Sequence, residues 1–202
     1  MPIGINRPQT RQPRARKSHR YCYQALSQSA QDFLRAWNAI LALVIGINKY
    51  TSRQLPCLKG AVADAELFEN FLKNSLNVPA ANITNLRDEQ ASRASILSAF
   101  DSLRDNPTYK KDEAAIIIFY AGHGAYTPVP EEWERKGYIT GNGRIEMLCP
   151  SDIGCPVNGE ESVIEGIPDR KISVLLNQIS NAKGNNIVSM FDSYEQNLIK
   201  SN

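Results

Sequence analysis

The sequence has few of the features that identify specialised classes of protein. No apolar run approaches the roughly 20 residues that a membrane span needs, so we expect no membrane contact. The four cysteines form no CxxC pair, and with only two histidines they predict neither a zinc site nor a disulfide framework. We therefore expect reduced thiols in a cytoplasmic protein. The formal net charge of +2 gives no reason to expect nucleic-acid binding.

Acidic residues are absent before Asp32, and this stretch carries six basic residues instead. They are Arg7, Arg11, Arg14, Arg16, Lys17 and Arg20. The composition predicts a disordered basic tail, followed by a short helix over 24–38 where apolar residues recur at helical spacing. Its prolines oppose the amphipathic helix of a mitochondrial presequence, so we do not expect targeting to mitochondria. We therefore predict two parts, a tail with a short helix over 1–38 and a domain over 39–202.

Short apolar runs alternate with amphipathic segments from residue 40 onward. Residues 41–47 and 114–120 are continuous apolar runs, which are typical of strands buried on both faces of a parallel sheet. The remaining pattern predicts strands at 83–86 and 187–191, helices at 60–76, 92–106 and 168–183, and a small hairpin at 141–143. This alternation predicts an α/β fold with helices on both faces of a mostly parallel sheet.

His123 is the candidate for acid–base chemistry. It follows the apolar run at 114–120, and Gly122 and Gly124 on either side leave room for a close approach of substrate. Because the carboxyl ends of parallel strands meet at one sheet edge, we expect the loops after 114–120 and 187–191 to lie side by side. This arrangement would bring His123 close to Asp192, Ser193 and Tyr194, without identifying the reaction.

Several segments, in this order, resemble the caspase-like peptidases, and especially the metacaspase type with fungal-style sequences. They are LALVIGINKY, LKGAVADAELFENFL, AIIIFYAGHG, IEMLCPSD, GIPDRKI and IVSMFDS. The resemblance covers residues 40–193 and implies a caspase-like three-layer α/β/α fold. Of that fold the chain would contain only the N-terminal, large-subunit half, so the domain would be incomplete at its C-terminus. The implied activity is that of a cysteine endopeptidase in which His123 assists formation of the thiolate.

The resemblance also assigns roles to other residues. The backbone N–H groups of Gly124 and residue 194 would stabilise the oxyanion. Asp64 and Asp192 match the two aspartates that bind a basic P1 side chain, so the implied substrate is a polypeptide with Arg or Lys. Without the family, Asp64 is an ordinary acid in a first helical turn and Asp192 an ordinary turn residue.

Calcium activation is known in some metacaspases, and the resemblance implies no other cofactor or metal. The carboxylates that would bind calcium have no clear match in this sequence. Glu146 and Asp152 are only loose candidates.

Tyr194 stands where the family has its nucleophilic cysteine. A phenol with a pKa of about 10 cannot replace a thiol with a pKa of about 8.5 in thioester chemistry. Cys57 lies in the loop after the first strand, where a half-buried thiol without a catalytic role is the ordinary interpretation. Cys149 lies in a segment that does not supply the family's nucleophile. We therefore expect the chain as written to be inactive as a peptidase.

Two explanations remain open for the loss of resemblance after Ser193. The first is a pseudoenzyme that acts as a binding or regulatory partner of active relatives. The second, which we favour, is an unspliced intron, because Ser193-Tyr194-Glu195 can be encoded by a sequence containing GTATGAG, which resembles a fungal-type intron donor. In both cases the strand at 187–191 would lack a neighbour from the family's second half. Its exposed apolar edge then predicts self-association.

Overall fold

The computed structural model describes residues 39–53, 55–129, 144–157 and 162–197, with side chains described as far as residue 193. The predicted tail and helix over 1–38 and the predicted hairpin at 141–143 lie outside these residues. The elements, in chain order, are β1 (Ile40–Gly46), α1 (Ala61–Asn74), β2 (Ile83–Arg87), α2 (Arg93–Asp105), β3 (Ala115–Pro128), β4 (Arg144–Leu148), β5 (Ile167–Pro168), α3 (Asp169–Lys183) and β6 (Ile187–Asn197).

The two continuous apolar runs form the centre of the sheet, as their composition predicts. β1 is buried along its whole length and pairs in parallel with β2 on one side and with β3 on the other. β6 pairs in parallel with β3, whereas β4 pairs antiparallel with β3 and with β5. The described sheet is therefore mixed, and the predicted parallel core is correct around β1 and β3.

Helices cover both faces of this sheet and complete the three layers of the α/β fold. Because side chains alternate along a strand, β1 packs against α1 with one set of residues and against α2 and α3 with the other. The first set is Ile40, Ala42 and Val44, and the second is Leu41, Leu43 and Ile45. Ser92 begins α2, as predicted, because its hydroxyl accepts the Ser95 N–H at 3.1 Å. No helix in the described ranges is long and apolar enough to cross a membrane.

The predicted ends of two strands are wrong. β3 continues beyond Tyr120 to Pro128, and β6 continues beyond Phe191 to Asn197. His123 and the segment from Asp192 to Tyr194 therefore lie inside strands and not in loops after them. The apolar pattern ends before the strands do. Beyond it, the extended backbone is held by hydrogen-bonded pairing of β3 with β4 and β6, and this pairing does not require apolar side chains.

β6 lies at an edge of the described sheet. Within the described residues it pairs only with β3, on one side. Val188 and Phe191 are 50% and 40% exposed. The sequence predicts such an exposed apolar strand, and self-association through it stays a prediction.

Candidate active site

The candidate site begins where β1 ends and β3 continues. Gly46, the last residue of β1, pairs with Ala121, so the N–H of His123 faces a position that β1 no longer occupies. Tyr50, from the loop after β1, fills this position: its hydroxyl accepts the His123 N–H at 2.7 Å. The Tyr120 hydroxyl lies 2.7 Å from the His123 carbonyl oxygen and can donate to it. Both backbone groups of His123 therefore have partners at the end of β1.

The imidazole of His123 is fully buried and oriented by a backbone carbonyl. Its ring centroid lies 4.9 Å from that of Tyr50, and its Nε2 lies 2.8 Å from the carbonyl oxygen of Pro56. A carbonyl oxygen only accepts hydrogen bonds, so Nε2 carries the proton of the neutral ring. Nδ1 then has a free lone pair, and it has no hydrogen-bond partner among the described residues. This arrangement suits a general base.

Nothing in the sequence marks Pro56 or Tyr50 as a partner of His123. Pro56 acts through its backbone carbonyl, which every residue type possesses, so its identity gives no signal. Tyr50 lies in the loop after β1, and a tyrosine in such a loop does not by itself indicate a contact with a histidine. Only the folded chain shows that both contact His123.

Burial controls the protonation of the two tyrosines. It raises the pKa of Tyr50 to about 12, although the hydrogen bond from the His123 backbone lowers it in part. Burial likewise raises the pKa of Tyr120 well above its ordinary value. Both hydroxyls are therefore neutral near pH 7, and their role here is to complete the hydrogen bonding of the strand end.

Position 194 lies directly opposite His123. The parallel register of β3 and β6 pairs His123 with Tyr194 and Gly124 with Glu195. In this ladder the N–H groups of even-numbered β3 residues face β6, as the bond from the Ile116 N–H to the Asn186 carbonyl shows. The Gly124 N–H thus faces β6, and its predicted contact with an oxyanion, which stays a prediction, requires β6 to separate from β3 at this point.

Gly46 relates the positions of Asp64 and Asp192 in the sheet. A side chain at Gly46 would lie 2.6 Å from Ala65 Cβ, so the first turn of α1, which contains Asp64, packs directly on this glycine. Gly46 pairs with Ala121, which pairs in turn with Asp192, so two strand spacings of about 4.8 Å separate Gly46 from Asp192. Both aspartates are exposed. Both carboxylates are therefore accessible to solvent, and their meeting in one substrate pocket stays a prediction.

Cys149 and Cys57 have different environments in the structure. Cys149 is buried, and burial raises its pKa to about 12, which suppresses the thiolate. Cys57 is exposed, so the expectation of a half-buried thiol is wrong. It follows Pro56, whose carbonyl occupies Nε2 of His123. The group of this loop that bonds Nε2 of His123 is therefore the Pro56 carbonyl.

Glu146 and Asp152, the loose candidates for calcium binding, make different contacts in the structure. Asp152 accepts the Arg93 N–H at 2.8 Å, which ties its loop to the start of α2. Glu146 lines a separate cavity of about 270 Å³ among β4, α3 and β6. Among the described residues, no group of three or more His, Cys, Asp or Glu side chains could hold a metal ion.

Comparisons with known proteins give the family. The chain is similar to the crystal structure of protein GSU0716 from Geobacter sulfurreducens, with 18% identity and a TM-score of 0.49. That match covers 78% of this chain and 50% of the other, so this chain spans about half the length of that protein. No curated protein matches this sequence. The family model described as Caspase domain, of the C14 peptidases, matches residues 39–168, which is more than half of the chain. This protein therefore belongs to the caspase domain family.

Proposed function

We propose that this caspase-family, protease-like domain binds polypeptide segments with an Arg or Lys side chain and does not cleave them. The observation that carries the proposal is the strand register that pairs His123 with Tyr194. Residues directly opposite on neighbouring strands are about 5 Å apart, which is the separation at which a base and a nucleophile can meet. The sequence supplies a phenol at this position and not a thiol.

The base itself is intact, which supports an origin in peptidase chemistry. Nε2 of His123 is held by the Pro56 carbonyl, and the buried Nδ1 has no hydrogen-bond partner among the side chains that the structure describes. In an active relative the lone pair of Nδ1 would take the proton of a thiol. Here position 194 carries a phenol, and phenols are far weaker acids than thiols, with a reference pKa of about 10 against about 8.5.

The two aspartates support a basic ligand. Asp64 and Asp192 are exposed, and neither takes part in an ion pair within the described ranges. A guanidinium or ammonium group entering this edge would form charge-assisted hydrogen bonds with either carboxylate. The role that follows is that of a pseudopeptidase that binds a protein partner, and we expect it to act in the cytoplasm.

A cleavage assay separates the loss of the nucleophile from other defects. The purified chain, Tyr194→Cys, and Tyr194→Cys combined with His123→Ala are incubated with a fluorogenic Arg peptide, with and without calcium. We expect no turnover by the chain as it stands. Turnover by Tyr194→Cys that disappears in the double variant would show that the site is otherwise assembled. Turnover by the unmodified chain would overturn the proposal and direct attention to Cys57.

A binding assay tests the pocket without requiring chemistry. Fluorescence anisotropy compares a labelled Arg peptide with the same peptide carrying norleucine. We expect Asp64→Asn and Asp192→Asn each to weaken binding of the Arg peptide by about tenfold, which corresponds to about 1.4 kcal/mol. Equal affinity of both peptides for the unmodified chain would refute a basic pocket here.

A further inference from the structure

Asp88 lies directly after β2, at the edge of the sheet where β1 also ends. Gly46, the last residue of β1, pairs with Arg87, the last residue of β2. One oxygen of the Asp88 carboxylate accepts the N–H groups of Asn48 and Lys49 at 2.8 and 3.0 Å. Hydrogen bonds to a carboxylate are roughly twice as strong as those between neutral groups. The Asp88 side chain thus holds the chain that leaves β1, at the point where backbone pairing with β2 has ended.

The backbone conformation of Asp88 suits this contact. Its φ of 44° lies in the left-handed region, which glycine, asparagine and aspartate adopt more readily than other residues. An ion pair with Lys49 is a weak alternative explanation for an aspartate here. Its atoms are 3.9 Å apart and the Lys49 side chain is 72% exposed, and such surface pairs contribute little to stability. The two backbone N–H groups are therefore the main partners of the carboxylate.

Asn48 connects Asp88 to the far end of the loop between β1 and α1. The carbonyl of Asn48 accepts the Leu58 N–H at 2.8 Å, which closes the loop. Its side-chain oxygen accepts the Val62 N–H at 3.3 Å in the first turn of α1, where the N-cap residue Gly60 has no side chain for this purpose. Asn48 therefore joins the end of β1, the end of the loop and the start of α1.

The same loop supplies both groups that orient His123. Tyr50, whose hydroxyl accepts the His123 N–H, comes two residues after Asn48. Pro56, whose carbonyl bonds Nε2, comes two residues before Leu58. The hydrogen-bonded positions of the loop therefore flank both contacts with the histidine.

The Pro56 contact depends on this loop closure more than the Tyr50 contact does. The Thr51 N–H donates to the Ser151 carbonyl at 2.9 Å, which attaches the backbone next to Tyr50 to a separate segment. Pro56 lies near the opposite end of the loop, which is closed on Asn48. A displacement of Asn48 would therefore move the Pro56 carbonyl before it moves Tyr50.

We propose that Asp88 is a positioning residue for His123: its carboxylate holds the loop between β1 and α1 so that the Pro56 carbonyl keeps the imidazole proton on Nε2. A neutral imidazole carries one proton, on either nitrogen. Nδ1 has no hydrogen-bond partner among the described residues, so the bond to Pro56 selects the tautomer. The lone pair on Nδ1, which makes His123 a base, then depends on Asp88. Peptide binding at Asp64 and Asp192 does not use the imidazole, so this role is separate from the proposed function.

Nitrogen NMR of the full chain reads the tautomer of His123 directly. The protein is prepared with ¹⁵N-labelled histidine, and a His19→Gln variant identifies the signals of His123, since the sequence contains only these two histidines. The chemical shifts of the two ring nitrogens show which of them carries the proton. We expect Nε2–H in the unmodified chain. Asp88→Gly tolerates the left-handed φ but has no carboxylate, and it should shift the tautomer ratio towards Nδ1–H by about tenfold, which corresponds to one net hydrogen bond.

Three further variants distinguish positioning from a general loss of stability. Asp88→Asn, which keeps the backbone conformation and one acceptor oxygen, should give a ratio between those of the unmodified chain and Asp88→Gly. Glu89→Gln removes an exposed neighbouring charge and should leave the ratio unchanged. Lys183→Met removes a buried ammonium that bonds the carbonyls of Asn106 and Tyr109, and it should also leave the ratio unchanged.

An unchanged ratio in Asp88→Gly, or Nδ1–H as the main form in the unmodified chain, would overturn the proposal. An equal change in Lys183→Met would also overturn it, because the ratio would then follow stability. If Asp88→Gly does not fold, amide hydrogen exchange of Asp88→Asn decides. Exchange at Asn48 and Lys49 should quicken as the ratio moves towards Nδ1–H, and faster exchange with an unchanged ratio would refute the role of Asp88. No peptide is present in these measurements, so their failure leaves the proposed function intact, and a failure of Arg-peptide binding leaves the role of Asp88 intact.

Discussion

Replacing Tyr50 with Phe tests the physical account of the strand end at His123. The substitution keeps the ring that packs against the imidazole and removes the hydroxyl that accepts the His123 N–H at 2.7 Å. That N–H would then be buried without a partner, which costs about 1–3 kcal/mol. We therefore expect the free energy of unfolding to fall by this amount at pH 7.5, measured by urea denaturation at 25 °C with a reducing agent present.

The difference in the free energy of unfolding between wild type and Tyr50→Phe should also depend on pH, and this dependence is the sharper test. The pKa of Tyr50 is raised from 10.0 to about 12 in the folded protein. A group whose pKa is raised on folding contributes its full stability below pH 10 and loses it as the pH rises through 12. Two pKa units correspond to at most about 3 kcal/mol, and Phe has no proton to lose. The stability gap between the two proteins should therefore narrow from pH 10 upward.

The control for this experiment is Tyr126→Phe. Tyr126 is only partly buried, and we expect its loss of a hydroxyl to change stability by less than about 0.5 kcal/mol. A gap between wild type and Tyr50→Phe that stays constant from pH 7.5 to 11.5 would refute the reasoning. So would a Tyr50→Phe variant that is as stable as the wild type at pH 7.5.

Three other substitutions or modifications test other parts of the structure. Gly46→Ala should lower stability by about 1–3 kcal/mol in urea denaturation, because the new Cβ would lie 2.6 Å from Ala65 Cβ and force α1 to shift. Lys183→Met should cost about 1.5–3 kcal/mol in the same assay, because the buried ammonium donates to the backbone carbonyls of Asn106 and Tyr109, which follow α2. Brief alkylation of the native protein, read by peptide mass spectrometry, should modify the exposed Cys57 and leave the buried Cys149 intact until denaturant is added.

Each of these three predictions has a control within the same protein. Gly60→Ala should be nearly neutral, since its Cβ would have only an ordinary contact at 3.5 Å, so equal losses at both glycines would contradict close packing at Gly46. Lys171 is exposed on the same helix as Lys183, and Lys171→Met should stay within about 0.5 kcal/mol of wild type. Alkylation of Cys149 at the same native rate as Cys57 would contradict its burial.

The sequence predicts most elements of the fold because their cores are strongly patterned. The run from Leu41 to Ile47 and the run from Ala114 to Tyr120 are apolar or aromatic apart from one glycine, which is typical of strands covered by helices on both faces. The pattern fails at the ends of β3 and β6. There, backbone pairing continues through glycine, histidine and acidic residues, and periodicity contains no information about such pairing.

The sequence and the tertiary structure therefore determine different features of the site. The sequence by itself identifies His123, Asp192 and Tyr194 as candidate site residues directly after apolar runs, and through the family's ordered motifs it identifies the caspase domain. Only the tertiary structure decides that position 194 lies opposite His123, that the Pro56 carbonyl fixes which imidazole nitrogen carries the proton, and that the loop with this carbonyl is closed on Asn48. Side-chain patterns follow burial and are local in sequence, whereas strand register and contacts of backbone carbonyls arise from segments distant in sequence.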